Sequence, residues 1–377
     1  MRAVIAAWRR SPFTRAHKGE LVTVRPDEMI GQVITKAMQD SELLPQEIDD
    51  ILIGCAYPEG EQGYNIGRLS AFLGDLDHSI PGATINRLCG SSMQAILTAA
   101  ANIRSGWGDC FLCGGVESMS RVKRRGFNWS PHPNLLKDYP EAYINMGITA
   151  ENVARMYGIS RDDQELFALT SHNKATKAMA SGHFDEEIVK IVGDDFDVSS
   201  DSCIRPDTSL ESMSRLKPAF VENGTVTAAT SSPLTDGAVI AIVCSEDFAD
   251  AHDLEPIASI SGGAVTGVAP ELMGIGPVSA TRLLLKRVDW QLSDVDVIEL
   301  NEAFSSQSLA CIRELGIDEE IVNMDGGALA MGHPLGASGA RITCKAASIM
   351  SRTGGKRAVA TMCIGGGMGI AIALEAI

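Results

Sequence analysis

The stretch TINRLCGSSMQAIL, residues 84–97, combines the end of a strand, a turn and the start of a helix. Residues 83–85 are an apolar run that predicts the end of a buried strand, and apolar positions recur at helical spacing from residue 93. Cys89 lies on the turn between them, where the free N–H groups of the first helical turn point. These groups and the helix dipole favour a thiolate, so we expect a lowered pKa and a nucleophile. Gly90 allows a sharp turn, and the alternative is a buried structural cysteine.

Length and composition indicate an α/β protein with tight turns. The chain has 377 residues, of which 45% are hydrophobic, 5% are aromatic and 37 are glycine, which predicts two or three units with substantial cores. A net charge of −16 argues against a nucleic-acid partner. No apolar run approaches the length of about 18 residues that a membrane span needs. Nine scattered cysteines indicate a reducing compartment, so we expect a cytoplasmic protein.

Strand and helix patterns alternate along the chain and predict a mostly parallel, buried sheet with helices on both faces. Residues 119–218 interrupt this alternation with a basic, proline-bearing stretch and helical patterns. The second half then repeats the order of the first, which suggests two similarly built halves. The predicted strands are 3–7, 51–55, 83–85, 110–116, 225–229, 238–244, 257–264, 295–300, 321–324, 357–363 and 368–375. The predicted helices are 26–41, 147–158, 160–182, 209–213, 278–287, 302–315 and 337–352, with a further one after Cys89.

Three stretches of the second half present polar side chains on tight turns. Asn301 follows a buried strand, where open α/β sheets bind ligands, although it could instead be a helix N-cap. His333 lies in GGALAMGHPLGASG, residues 326–339, where glycines hold an imidazole on a turn. Cys363 ends a strand and is followed by Gly365–Gly367, whose N–H groups could face an oxyanion. Two cysteines, one histidine and one asparagine at strand ends form a nucleophile, base and donor set.

A second cysteine pattern, Cys110-Phe-Leu-Cys113, resembles a redox or metal motif. The pair lies inside an apolar strand and has no second pair of the same spacing elsewhere in the sequence. We therefore expect two core cysteines, and no metal site.

The chain resembles the thiolase family along nearly its whole length. The resemblance implies an α/β thiolase fold, in which two similar βαβαβαββ halves form a five-layer αβαβα sandwich with a loop domain over the active site. The implied units are an N-terminal half of residues 1–118 with 219–249, a loop domain of 119–218, and a C-terminal half of 250–377. The matching stretches are NRLCGSSMQA, GGVESMS, MGITAENVA, LKPAF, GTVTA, NEAF, DGGALAMGHPLGASGARI and CIGGGMGIA.

The resemblance also implies a role for each polar residue. Cys89 matches the nucleophile, and His333 matches the histidine that takes its proton. Cys363 matches the acid/base that exchanges protons with the acetyl-CoA carbanion or with incoming CoA. Asn301 matches the residue that holds a water, which forms one oxyanion hole with His333. The backbone N–H groups of Cys89 and Gly365 would form the other.

Other positions match contacts to coenzyme A or to the acyl group: Arg205, Ser232, Asn145, Met146 and Met273. The run RVKRR, residues 121–125, is a candidate phosphate-facing patch, with a solvated loop as the alternative. Asn145 stands where enzymes that condense two acetyl-CoA often carry histidine. Together with EQGYNIGR, residues 61–68, this favours a 3-ketoacyl-CoA thiolase of fatty-acid β-oxidation, which cleaves its substrate into acetyl-CoA and a shortened acyl-CoA.

Alternatives within and beyond this family remain open on the sequence. An acetyl-CoA acetyltransferase that makes or cleaves acetoacetyl-CoA would use the same residues. The Cys363 block argues against a ketoacyl-synthase type of condensing enzyme. A non-catalytic lipid-binding or scaffold relative would be expected to lose one of the four polar residues. The resemblance further implies a homodimer or homotetramer, leaves open a β-oxidation multienzyme partner, and requires no cofactor besides coenzyme A as substrate.

Overall fold

The protein is described by a computed structural model that covers residues 1–193 and 196–377; residues 194 and 195 of the predicted 119–218 segment lie outside the described residues. The strands are β1 (Ala3–Arg10), β2 (Thr14–Arg15), β3 (Asp50–Gly54), β4 (Gly82–Ile85), β5 (Cys110–Ser118), β6 (Ile191–Val192), β7 (Asp197–Val198), β8 (Thr235–Ser245), β9 (Ala258–Gly267), β10 (Val297–Leu300), β11 (Arg357–Ile364) and β12 (Met368–Glu375). The helices are α1 (Pro26–Ser41), α2 (Ile66–Leu73), α3 (Ser91–Arg104), α4 (Pro133–Asp138), α5 (Met146–Tyr157), α6 (Arg161–Ala180), α7 (Leu210–Ser214), α8 (Glu246–Ala251), α9 (Gly276–Val288), α10 (Ser305–Leu315), α11 (Ala328–Met331) and α12 (Leu335–Thr353).

Within the described residues, one ten-stranded sheet runs through both halves in the order β10-β11-β12-β9-β1-β8-β5-β3-β4, with β2 beside β8. The pairs β3–β4, β3–β5 and β10–β11 are parallel, whereas β8 and β12 run antiparallel to both of their neighbours on this path. The prediction of a mostly parallel sheet is therefore wrong, because strands such as β12 return through a short glycine turn. The halves join where β1 pairs with β9.

Two predicted strands do not form. Residues 225–229 make only an isolated bridge to Pro218, because the N–H groups of Thr225 and Val226 donate to the Glu151 carboxylate. Residues 321–324 form the end of a 3-10 turn and a single bridge to Ile298. Each run is short, so its apolar pattern alone could not separate a strand from a buried turn.

Helices cover and separate the two halves of the sheet. On the outer faces, α1 and α2 pack on the N-terminal half, and α9 and α10 pack on the C-terminal half. The central layer consists of α3 and α12, whose apolar residues share one core with both halves of the sheet. Fourteen of the nineteen residues of α12 are buried, which is expected of a helix enclosed on all sides.

The N-terminal ends of the two central helices touch. A Cβ on Gly339 of α12 would lie 2.6 Å from the backbone nitrogen of Met93 in α3, so only glycine fits. Next to this contact, the Ala340 N–H donates to the Ser92 hydroxyl at 2.8 Å. The turns that precede α3 and α12 therefore lie at the same end of the central layer.

A buried charge cluster fastens the segment between β5 and β8 to both halves. The Arg10 guanidinium donates to the carboxylates of Glu187 and Asp201 at 2.7–2.8 Å. Glu187 also pairs with Lys345 of α12, and Lys345 lies 3.5 Å from Asp325. Because these charges are buried, loss of one partner would leave its neighbours uncompensated.

None of the helices in the described parts of the chain is both long and apolar enough to span a membrane.

Candidate active site

Cys89 lies on a strained turn between β4 and α3. Leu88 has a φ of 45°, in the left-handed region that non-glycine residues rarely adopt. Its N–H donates to the Asn86 side chain at 2.8 Å, and its carbonyl accepts from the Ser91 N–H at 3.1 Å. Strand β4 is half-buried rather than buried as predicted, because β3 is its only partner strand among the described residues. The turn therefore presents a half-buried Cys89 two residues before the helix begins.

The turn after Cys363 packs directly on the Cys89 turn. A Cβ on Gly365 would lie 3.3 Å from a methyl group of Leu88, and the Ile364 side chain occupies the space beside Gly90. The backbone N–H groups of Gly365 and of Cys89 itself stabilise a thiolate at Cys89. The two cysteines are also close enough for a charge on one to disfavour a charge on the other. The two backbone donors that the resemblance implies therefore both lie beside the Cys89 sulfur, and their role toward a substrate oxyanion stays a prediction.

His333 is held in one tautomer by its surroundings. Its Nδ1 lies 2.5 Å from the Ser338 hydroxyl, which in turn donates to the Pro334 carbonyl at 2.9 Å. Because the hydroxyl proton goes to that carbonyl, we assign the imidazole proton to Nδ1, which leaves Nε2 as a hydrogen-bond acceptor. The His333 N–H donates to Thr235 at 3.0 Å, which fixes the backbone as well. His333 is thus set up to accept a proton at Nε2.

Asn301 contacts that same nitrogen. Its Nδ2 lies 3.5 Å from Nε2 of His333, and its backbone N–H donates to Thr361 of β11 at 3.0 Å. Helix α10 begins at Ser305 with Phe304 as its N-cap, so the alternative that Asn301 caps this helix is wrong. The Asn301 Oδ1 atom is buried and has no hydrogen-bond partner among the described residues. A buried unsatisfied oxygen at a ligand-binding edge fits a site for a substrate atom or a water.

Burial controls the ionisation of all three reactive groups. It raises the pKa of Cys89 to about 11, although the N–H groups of Gly365 and Cys89 act in the opposite direction. The expectation of a lowered pKa is therefore wrong, because desolvation of the thiolate outweighs the helix N-terminus. Burial, assisted by the Arg341 charge, lowers the pKa of His333 to about 3, and burial raises the pKa of Cys363 well above its usual range. The resting site therefore contains two thiols and a neutral imidazole.

Several of the predicted substrate contacts surround Cys363. Met146 and Met273 share an apolar cluster with Cys363 and Phe304. The Ser232 N–H and hydroxyl both donate to the Ala303 carbonyl, at 3.0 and 3.1 Å, so Ser232 lies beside the NEAF segment, residues 301–304. Met146 and Met273 therefore pack in the same cluster as Cys363, and Ser232 lies next to residue 303 of that cluster.

The other residues predicted to contact coenzyme A or the acyl group interact with neighbouring protein groups. The Asn145 side chain accepts from the Gly147 N–H at 2.9 Å and caps α5. Arg205 lies beside His172, to whose Nδ1 its N–H donates at 3.2 Å. Arg121 forms an ion pair with Glu61, and Arg125 lies over the Trp129 ring, so these members of the basic run already have partners. Arg124 is close enough to Cys89 to favour its thiolate.

The prediction of core cysteines at Cys110 and Cys113 is confirmed, because both are fully buried in β5. Among the residues that the structure describes, no group of three His, Cys, Asp or Glu side chains could hold a metal ion. Ser338, the partner of His333 Nδ1, was not among the residues predicted from the sequence. Its position, one helical turn after Pro334 and five residues after His333, was the signal that could have identified it.

Comparisons with known proteins identify the family. The family model described as "Thiolase, N-terminal domain" matches residues 3–247, and "Thiolase, C-terminal domain" matches residues 254–376. The 3-ketoacyl-CoA thiolase of Bacillus subtilis is 45% identical over 99% of both chains, and that of Cronobacter sakazakii is 44% identical over 97% of both. The crystal structure of the Bacillus anthracis acetyl-CoA acetyltransferase superposes with a TM-score of 0.91 at 38% identity, covering 100% of this chain and 99% of the other.

The raised pKa of Cys89 predicts how the substrate-free protein reacts with iodoacetamide. Because only the thiolate reacts and the pKa is about 11, the alkylation rate should rise about tenfold per pH unit from pH 7 to pH 10. Mass spectrometry of the Cys89 peptide measures this rate, and Cys89→Ser gives the background. A plateau below pH 8 would show instead that the helix N-terminus dominates.

Proposed function

The chain belongs to the thiolase family, and on this basis we propose that it cleaves 3-ketoacyl-CoA with coenzyme A into acetyl-CoA and a shortened acyl-CoA. The observation that carries this proposal is the placement of two pairs. Cys363 is close enough to Cys89 for their charges to interact, and Asn301 contacts Nε2 of His333. The turns that carry Cys89 and His333 precede helices whose N-terminal ends touch. Full-length relatives that carry the name 3-ketoacyl-CoA thiolase support the degradative reaction. The acetyl-CoA acetyltransferase named in the structural comparison keeps acetoacetyl-CoA as the second candidate substrate.

In the first half-reaction, Nε2 of His333 takes the Cys89 proton while the sulfur attacks the keto carbon of the substrate. The bond between the α-carbon and the keto carbon then breaks, which leaves an acyl-Cys89 thioester and the enolate of acetyl-CoA. The Cys363 thiol protonates the enolate carbon and becomes a thiolate. N–H donors aimed at the developing oxyanions contribute about 3 kcal/mol each in comparable sites. The neutral resting state of His333 suits this role, because a protonated imidazole could not accept the Cys89 proton.

In the second half-reaction, the Cys363 thiolate takes the proton of an incoming CoA thiol. The CoA sulfur attacks the acyl-Cys89 carbonyl, and the Cys89 sulfur leaves and regains its proton from His333. The shortened acyl-CoA is released, and each group returns to its starting protonation state. A covalent intermediate of this kind predicts ping-pong kinetics.

The segment of residues 119–218 is proposed as a loop domain that covers the coenzyme A site, between the halves of residues 1–118 with 219–249 and 250–377. Its helix α5 supports this role, because Met146 at its start packs on Cys363. Ser232 would contact the pantetheine, Met146 and Met273 the acyl group, and Arg205 the adenine end. Asn145 would shape the acyl site through α5, since its side chain caps that helix.

We also propose that the protein is a homo-oligomer. Strand β4 is an edge strand whose residues are all half-buried. Its last residue, Ile85, and the partly buried Leu88 and Leu97 pack on the central core. Such an edge is a template for pairing with a second copy. Either a homodimer or a homotetramer would let this edge strand pair with a second copy. A β-oxidation multienzyme partner stays a prediction from the resemblance.

The nine free thiols support the proposal of a reducing, cytoplasmic location.

The first test is thiolysis of 3-ketoacyl-CoA substrates with C4, C8 and C16 chains, followed by loss of substrate absorbance. Rates that hold or rise with chain length are expected for the degradative enzyme. Cys89→Ala should abolish turnover of every substrate, because the nucleophile is lost. Activity confined to C4 would instead assign an acetoacetyl-CoA enzyme, and no activity at any length would overturn the proposal.

Substitution of the second cysteine tests its separate role. Cys363→Ala should lower kcat by about 10²–10⁴-fold, because it removes the group that protonates the enolate and activates CoA. Cys89 should still react with iodoacetamide, as measured by mass spectrometry. Cys113→Ala, at another fully buried cysteine, is the matched control and should retain turnover. Unchanged kcat in Cys363→Ala would contradict the acid/base assignment.

The oligomer proposal is tested at β4. Ile85→Lys should shift the protein to smaller species in sedimentation velocity, because it adds a charge to the half-buried edge. Ile148→Lys changes an exposed isoleucine on α5 and should leave the assembly unchanged. A monomeric unaltered protein, or an unchanged distribution in Ile85→Lys, would contradict an interface at this edge.

A further inference from the structure

Two buried carboxylates flank the His333 turn from opposite halves of the protein. Glu117 is the penultimate residue of β5 in the N-terminal half, and Glu302 follows β10 of the C-terminal half. Their side chains are 0–2% exposed, and every hydrogen-bond donor to them is a neutral group. Buried carboxylates that no cation hydrogen-bonds are costly unless neutral donors satisfy their oxygens, so these partners need an explanation.

Glu117 holds the chain just after His333. Its Oε2 accepts from the N–H of Gly336 at 2.9 Å and from that of Ala56 at 2.8 Å. Its Oε1 accepts from the Gln62 side chain at 2.8 Å and from the Tyr57 N–H at 3.2 Å. Gly336 is in the first turn of α12, where backbone N–H groups have no partner in the helix and attract a negative charge. Glu117 therefore ties the start of α12 to the loop that follows β3.

Glu302 holds the chain just before His333. Its Oε2 accepts from the Leu329 N–H at 3.1 Å and from the Ser171 hydroxyl at 2.7 Å. Ser171 accepts in turn from the Gly327 N–H at 3.0 Å, which adds a second tie to the same turn. The Asn323 side chain donates to Oε1 at 2.7 Å. The fit is tight, because a Cβ on Gly327 would lie 2.1 Å from the Glu302 carboxyl carbon.

From this juxtaposition we propose that Glu117 and Glu302 are positioning residues that hold the His333 turn between them. The backbone groups they bind, at Leu329 and Gly336, lie four residues before and three residues after His333. A carboxylate accepts at both oxygens, whereas a glutamine would turn an NH₂ group toward N–H donors and push one of them away. Burial raises the pKa of both carboxyls, and the hydrogen bonds to their oxygens act in the opposite direction.

This inference rests on the proposed function, in which His333 accepts the Cys89 proton. Glu117→Gln and Glu302→Gln should each slow formation of acyl-Cys89 by about 10–100-fold, because small displacements of a catalytic group are costly. The rate is measured by quench and mass spectrometry with a C8 3-ketoacyl-CoA, and the KM for that substrate should change little. Glu187→Gln is the matched control: it removes a buried carboxylate that binds Arg10 and Lys345. It should lower thermal stability and leave the rate per folded molecule unchanged.

A double-mutant cycle separates positioning from general weakening of the fold. In a His333→Ala background, Glu117→Gln and Glu302→Gln should slow acylation no further, because the residue they position is gone. Equal slowing in both backgrounds, or rates within twofold of the unaltered protein, would overturn the inference. If the unaltered protein forms no acyl-Cys89 at all, the proposed function itself fails, which is a distinct outcome.

Discussion

The close contact between the N-terminal ends of α3 and α12 is the constraint on which the site depends. Each helix is preceded by a turn that carries a reactive side chain, Cys89 in one half and His333 in the other. The two helices can approach this closely only because Gly339 lets the Met93 backbone come to a distance at which any side chain would clash. The two helices cannot move slightly apart without loss of packing, because buried interfaces are close-packed. The site is therefore a consequence of how the halves fit together.

Burial in this contact region also determines the charge of Cys89 and His333. A thiol whose pKa is about 11 and an imidazole whose pKa is about 3 are both neutral in the resting protein. A permanent thiolate–imidazolium pair would have to be kept desolvated, which is expensive in a buried site. A neutral pair avoids that cost. In the proposed reaction, charge separates only when a substrate oxyanion shares the donors at Gly365 and Cys89.

Sequence patterns predicted the elements that long periodic runs define, and missed what depends on three-dimensional neighbours. Helix α1 begins and ends as predicted, and the turns bearing Cys89, Asn301, His333 and Cys363 were found because each follows an apolar run. The predicted direction of the Cys89 pKa shift was wrong. The sequence shows the helix N-terminus, which lowers the pKa, but not the burial that raises it. The partners of His333, such as Ser338, could not be assigned without the fold, since hydrogen bonding is a property of geometry.

The residues proposed as nucleophile and base follow similar structural elements in the two parts of the sheet. Parallel strands β3 and β4 precede Cys89 and α3, and in the second half β10 makes one parallel bridge to Val322 before His333 and α12. The missing second strand there is replaced by a glycine-rich turn, which needs side-chain partners because it has no strand ladder to satisfy its N–H groups. The turn that carries His333, the proposed base, has no neighbouring strand to accept its N–H hydrogen bonds. Other acceptors must therefore hold it, and the buried carboxylates of Glu117 and Glu302 accept from its two ends.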